Sequence, residues 1–391
     1  MRIACLQFEP SSGNVDYNMS RADAILSRMN PNMLSTIDLL VLPELAFSGC
    51  PPPSSEQIYG HSEHLGSGVT ALWARTFAVN YNCFVVTGYP EKTNQLVRKA
   101  EYYNSAVVID KKGETAGNYR KCFLHEIDDN WASEGPGFFG SQIPGLGKVA
   151  LGISMDIKSV HLPTFPFCTL ITSSPYKFEA PFHAFEFSFH AVDTQANLII
   201  IPMAWFTEQR PRNYTSLPQE PDLEAISYWV QRLEPILRTD KTEEIIVVFC
   251  NRTGIENDMI YTGTSCVLGI KEGEVLVYGL LGRGQKSVLL VDTDNDEPIG
   301  KLVHQLDKPA DSQVPTAHTA RLQVPAIDTS LPLNSVNAYS VCSLAPNEDQ
   351  KMSGPLSMSP SKSDLKALCD LLAEYSRSSG TPESPDTQRG E

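Results

Sequence analysis

The chain has 391 residues, with 31 Lys and Arg against 46 Asp and Glu, a formal charge of −15 at pH 7 and a hydrophobic share of 41%. A negative field of that size repels phosphate backbones and disfavours nucleic acid as a partner. The longest apolar stretch, around residues 198–202, is far short of the ~20 residues that cross a bilayer, which disfavours a membrane protein.

The N-terminus, Met1-Arg2-Ile3-Ala4-Cys5-Leu6, reads as a buried strand, and no signal-cleavage pattern follows it. Short runs rich in Val, Ile and Leu recur at 3–8, 38–42, 83–88, 105–109, 148–153, 198–201, 245–249, 264–269, 275–278 and 287–291, and each reads as a strand. Helical spacing appears between them at 17–29, 69–80, 182–195 and 223–237, the first behind Asn14 and Asp16 as caps. Strands apolar on both faces and separated by helices imply an α/β protein with covered sheets.

Past Asp292 this pattern fades. Residues 294–391 are rich in Ser, Pro, Asp and Gln and lack the apolar content that offsets ordering entropy, so they read as a mostly disordered, low-complexity tail. Within it, Leu365, Leu368, Leu371 and Leu372 mark a short helix over 361–375. The nine cysteines are scattered, with no CxxC pair and no cluster with the eight histidines. That argues against a disulfide framework and a zinc site, and for a reducing, cytoplasmic setting, with the nucleus also open.

Three polar positions fall where structure changes. Glu44 follows the run Leu39-Leu40-Val41-Leu42-Pro43, at the strand end where α/β proteins place ligands. Lys121 closes Asn118-Tyr119-Arg120 after a turn at Gly113-Glu114. Ser154 interrupts Val149-Ala150-Leu151-Gly152-Ile153, where an apolar strand meets a small polar residue as in a nucleophile elbow. Taken singly, each also reads as an ordinary loop or strand-end residue.

In order and spacing, Pro43-Glu44, Tyr119-Arg120-Lys121 and Gly152-Ile153-Ser154-Met155-Asp156 resemble the nitrilase, or carbon–nitrogen hydrolase, superfamily over residues 1–293. The resemblance implies an α-β-β-α sandwich and a Glu–Lys–Cys triad. Trp131-Ala132-Ser133-Glu134-Gly135-Pro136-Gly137-Phe138, Pro175-Tyr176-Lys177-Phe178-Glu179-Ala180-Pro181 and Met203-Ala204-Trp205 narrow the likeness to the fungal protein N-terminal amidases. Those enzymes deamidate N-terminal Asn and Gln for the N-degron pathway. On that resemblance Glu44 is the proton carrier, Lys121 and the Met155 N–H stabilise the oxyanion, and Glu134 is the second acid that positions substrate and water. Asp156 orients the elbow or holds the substrate's amino group. No cofactor is implied, the partners are protein or peptide N-termini bearing Asn or Gln, and a homodimer is in keeping with the superfamily. His125, His183 and His190 carry less weight, the last two as packing residues of a helix.

Two departures stand out. Position 154 is Ser where the superfamily has Cys, and an alcohol ionises far less readily than a thiol of pKa ~8.5. Residues 158–174, apolar and charged only at Lys158, are inserted beside it, either as a lid loop or as sequence retained from an intron. Three functions follow: an N-terminal amidase slowed by Ser154, a silent protein of the same fold that binds N-termini, or an amidase of small molecules such as free glutamine-like amides.

Overall fold

The computed structural model describes residues 1–49, 58–93, 100–158, 184–207, 216–256 and 258–302. The expected insertion over 158–174 beyond Lys158, the Pro175–Pro181 motif, His183 and the helix over 361–375 lie outside the described residues.

Among the described residues sixteen strands run in the order β1 (Arg2–Gln7), β2 (Leu39–Val41), β3 (Phe84–Lys92), β4 (Tyr102–Ile109), β5 (Thr115–Arg120), β6 (Phe139–Ile143), β7 (Gly147–Leu151), β8 (Leu198–Met203), β9 (Phe206–Thr207), β10 (Ile245–Asn251), β11 (Thr253–Glu256), β12 (Met259–Thr262), β13 (Cys266–Lys271), β14 (Glu274–Leu280), β15 (Ser287–Asp292) and β16 (Gly300–Leu302). They build a six-stranded sheet ordered β15-β1-β2-β3-β4-β5 and a seven-stranded sheet ordered β16-β14-β13-β10-β8-β7-β6, with β11-β12-β9 as a small third sheet. The central pairs β1–β2, β2–β3, β7–β8 and β8–β10 are parallel, which accounts for the unbroken apolar character of those runs.

Strand alternation sorts the core into layers. From β1, Ile3 and Cys5 turn toward the second sheet and meet Val149, Leu151, Ile200 and Val248. Ala4 and Leu6 turn the other way, onto Ala22, Ile25, Ala74 and Phe77 of the helices Val15–Leu26 and Val69–Tyr81. The second sheet is covered in the same manner, with Trp229 of the helix Leu223–Gln231 against Phe249, ring centroids 5.0 Å apart. The result is the expected α-β-β-α sandwich. Asn14 does precede the first helix, but its side chain makes no capping bond. Asn18 instead ties that helix down, donating to the Ser11 and Phe47 carbonyls at 2.7 Å each.

One close approach in the first sheet bears directly on Glu44. The chain beyond β2 is strapped to β3 through Leu42 N–H to Val86 O (2.8 Å) and Ala46 N–H to Gly88 O (3.1 Å). A Cβ on Gly88 would lie 2.6 Å from both the Glu44 Cα and the Leu45 nitrogen, closer than packed atoms tolerate. Gly88→Ala is expected to destabilise the fold by about 2 kcal/mol, as overpacking in a rigid site does, and to shift Glu44. Urea denaturation with an unchanged midpoint would show that the strap yields freely.

Candidate active site

Glu44, Lys121 and Ser154 stand on three different strand ends, and the fold brings all three to the wall of one cavity of about 220 Å³. Glu44 follows β2, Lys121 follows β5 and Ser154 follows β7. The cavity is also lined by His125, Asp128, Met155 and Lys158, and by the apolar side of Leu45, Ile127, Ala204, Trp205, Phe206, Met259 and Tyr261.

At its base lies a buried ionic network. The Lys121 ammonium donates to Glu44 Oε1 at 2.7 Å and to Asp128 Oδ2 at 2.6 Å, and all three side chains are nearly closed to solvent. Asn104, wholly buried on β4, donates its amide to the same Glu44 Oε1 (2.6 Å) and to Asp128 Oδ1 (3.1 Å). Burial alone would lower the Lys121 pKa, but the Asp128 and Glu44 carboxylates reverse this and hold it above its ordinary value. The ammonium is therefore a fixed positive charge at any physiological pH.

Asp128, rather than Glu134, is the second acid on the cavity wall. Glu134 is exposed and does not line the cavity. Its loop does different work: the Gly135 N–H donates to the Lys121 carbonyl (2.8 Å) and the Ser133 N–H to the Tyr102 carbonyl (2.7 Å), which fixes the backbone from which Lys121 projects. Asp128 sits in the turn of helix Glu126–Asp129, where its carboxylate also accepts the His125 N–H at 3.2 Å, while His125 Nδ1 accepts from Ile127 N–H at 3.3 Å. These reciprocal bonds form a capping box. Burial, with the Lys121 charge beside it, keeps the His125 pKa below its usual value. The ring is thus neutral at pH 7, and Nδ1 is free of the proton that would prevent it from accepting.

Ser154 opens a short 3-10 turn, Ser154–Ile157, with φ of +37°. A residue with a side chain rarely adopts that backbone, and a sharp strand-to-turn bend of this kind raises the side chain above the sheet edge. Its Oγ accepts from the Ala204 N–H at 2.7 Å. Among the described residues no hydrogen bond joins Ser154 to Glu44 or Lys121. Met155 is half-buried on the cavity wall.

Asp156 fastens the elbow to the strand that carries Lys121. Oδ2 accepts from Ile153 N–H (2.7 Å) and the Tyr119 hydroxyl (2.8 Å), and Oδ1 from Cys122 N–H (3.1 Å) and Phe123 N–H (2.9 Å). With both oxygens so occupied and the group outside the cavity wall, orienting the elbow is the role the geometry supports. Burial pushes its pKa up to about 6, against the pull of the Phe123 and Ile153 N–H groups. A raised carboxyl pKa means that this group's contribution to stability is full below about pH 4 and is lost as pH rises through about 6.

Other sequence candidates resolve simply. Ala204 and Trp205 do line the cavity, and Asn251 clamps Trp205 through its N–H (2.8 Å) and carbonyl (3.2 Å). His190 packs on Phe138, with ring centroids 5.6 Å apart. Among the described residues no group of three or more His, Cys, Asp and Glu is placed to hold a metal ion, and no helix is long and apolar enough to cross a membrane.

Removing the ammonium should expose what it neutralises. Lys121→Met is expected to cost about 3–5 kcal/mol at pH 8, because two buried carboxylates are left facing each other. The deficit should shrink toward pH 5, where the crowded pair can retain a proton. Urea melts at both pH values read this directly, and a deficit independent of pH would mean that Lys121 serves packing rather than charge.

Comparison with known proteins agrees with this geometry. The family model for carbon-nitrogen hydrolase matches residues 2–157. A protein N-terminal amidase of Schizosaccharomyces pombe is 31% identical over 304 residues, 74% of this chain and 98% of that protein. One from Saccharomyces cerevisiae is 30% identical over 58% of this chain and 49% of its own length. Among solved structures, an N-terminal amidase superposes with a TM-score of 0.60 at 21% identity, covering 74% of this chain and 96% of that one. The same enzyme type with an Asn-Glu-Ala peptide gives 0.58 at 22%, over the same shares of the two chains, and both share the fold. Sandwich, strand-end site and near-complete alignment to one relative together make this chain a member of the carbon–nitrogen hydrolase family of amidohydrolases.

Proposed function

We propose that the cavity receives protein or peptide N-termini bearing Asn or Gln and hydrolyses the side-chain amide, with Ser154 as a slow nucleophile. The observation that carries this reading is the Glu44–Lys121–Asp128 network, held on one cavity wall with the residue at the elbow. The relatives that bear the name N-terminal amidase support it, as does a cavity of a size to hold a small side chain rather than a macromolecule.

In this scheme the Ser154 oxygen attacks the amide carbon while Glu44 takes the hydroxyl proton. The C=O pair moves onto oxygen, and the Lys121 ammonium and the Met155 N–H stabilise the oxyanion. Collapse breaks the C–N bond, and Glu44 returns the proton to the departing ammonia. The same carboxylate then draws a proton from water, which attacks the acyl ester and releases Asp or Glu with Ser154 restored. Asp128 and Asn104 hold Lys121 and Glu44 in register, and Asp156 holds the elbow.

The serine sets the rate. A carboxylate can deprotonate a thiol but is a poor base for an alcohol, and His125, the histidine on the cavity wall, is occupied as a helix cap. Turnover is therefore expected to be very low, and stable binding of the N-terminus becomes the main behaviour of the natural chain. Action in the N-degron pathway and a cytoplasmic location accompany this reading.

Ammonia release from short peptides beginning with Asn or Gln provides the test, with free Asn and Gln as controls. The natural chain should lie near background and Ser154→Cys should exceed it by at least a hundredfold, on the order expected when a nucleophile is restored to its support. Release from free amino acids but not peptides would assign the pocket to small molecules. Silence of both proteins on every substrate would defeat the amidase reading.

A further inference from the structure

Four charged side chains line the cavity: Glu44, Lys121, Asp128 and Lys158. The first three are bound to one another and to Asn104, and they leave two carboxylates against one ammonium. Lys158 stands apart from them. Its backbone ends the Ser154–Ile157 turn, with Lys158 N–H donating to Met155 O at 2.8 Å. Its side chain is half-buried on the wall and has no ion pair or hydrogen bond among the described residues. His125 lines the same cavity.

Lys158 and Ser154 stand at the two ends of one short turn and line the same cavity. Four residues of 3-10 turn, at a rise of ~2 Å each, set residue 158 about 8 Å from residue 154. With the N-terminal side chain at Ser154, a ligand that follows this turn passes Lys158 with the residues that come after it. The chain's formal −15 opposes any acidic ligand at long range, so a cation on the wall with no counter-ion among the described residues is the feature able to reverse that preference locally.

We propose that Lys158 is a specificity residue that attracts a ligand carboxylate, either the acidic side chain following the N-terminal Asn or Gln or the free C-terminus of a very short peptide. This rests on the reading of the cavity as a site for N-termini.

Because the natural serine chain barely turns substrate over, binding can be measured on it directly by calorimetry. The probes are Asn-Glu-Ala-amide, Asn-Gln-Ala-amide, Asn-Lys-Ala-amide, Asn-Gly and Asn-Gly-amide. The Glu peptide should bind about threefold more tightly than the Gln peptide, in keeping with a part-exposed ion pair, with the Lys peptide weakest and the spread narrowing in high salt. Lys158→Gln should flatten the series and Lys158→Glu should invert it, tight binding of the Lys peptide showing that the variant is folded. A gain confined to Asn-Gly over its amide supports the proposal and assigns the carboxylate to the chain terminus. Equal affinities across the series, or a Glu preference that survives Lys158→Glu, would overturn it while leaving the N-terminus reading intact. Failure of every peptide to bind, the neutral ones included, would overturn both.

Discussion

The arrangement depends on burying one lysine. An ammonium with almost no solvent access is tolerable only where anionic partners replace its hydration, and here Glu44 and Asp128 do so within hydrogen-bonding distance. That requirement joins three parts of the chain: the end of β2, the end of β5 and the short helix after it. Asn104 on β4 fixes the spacing of the two acids by donating to both. The Asp156 carboxylate then extends the constraint to the second sheet, since it holds the elbow N–H of Ile153 with one oxygen and the N–H groups just past Lys121 with the other. The position of Ser154 relative to Lys121 is thus tied by one buried carboxylate.

On such a support the change from thiol to hydroxyl is a change in chemistry more than in structure. The elbow keeps its left-handed backbone, and the Ser154 oxygen has a hydrogen-bond partner in Ala204 N–H. What is missing is a base of matching strength. The carboxylate at the base of the cavity suits a proton that leaves near neutral pH, which a thiol has and an alcohol lacks. The network costs stability whether or not turnover occurs, because a buried ionic cluster rarely repays its desolvation in full.

The sequence made the interior strands legible and, β15 apart, the edges illegible. Every strand apolar on both faces, from β1 and β2 to β8 and β10, announced itself through Val, Ile and Leu. The strands that escaped, β5, β6 and β16, are the outermost of their sheets; β5 and β6 each leave most positions partly or fully exposed, so they carry no two-faced apolar signal. The small sheet of β9, β11 and β12 escaped as well, being built from runs of two to four residues. At the site, Glu44, Lys121 and Ser154 were readable because each ends a run and sits in a family motif. Asn104 was hidden inside a strand pattern. Asp128 was one acid among Glu126, Asp128 and Asp129, where a helix cap was explanation enough. Its separation of seven residues from Lys121 and the His125-x-x-Asp128 box were the available signals. Glu134 was named instead on the family resemblance, and the glycine after it serves the close approach of Gly135 to the Arg120 carbonyl.

The two halves of the cavity divide the labour. Glu44, Lys121, Asp128 and the elbow all fall within residues 2–157, the segment that the family model covers. The opposite wall, Ala204, Trp205, Phe206, Met259 and Tyr261, comes from beyond it and is apolar and aromatic. Apart from the Tyr261 hydroxyl it offers no side chain that carries a proton, and an apolar wall of this kind shapes what enters and excludes water. Asn251 anchors this wall by holding both the N–H and the carbonyl of Trp205, and the Trp205 ring lies 5.4 Å from Tyr228 and 6.1 Å from Trp229. Lys158 sits at the junction, where the elbow turn ends. A single charge there can bias which ligands are held without touching the groups that would transform them.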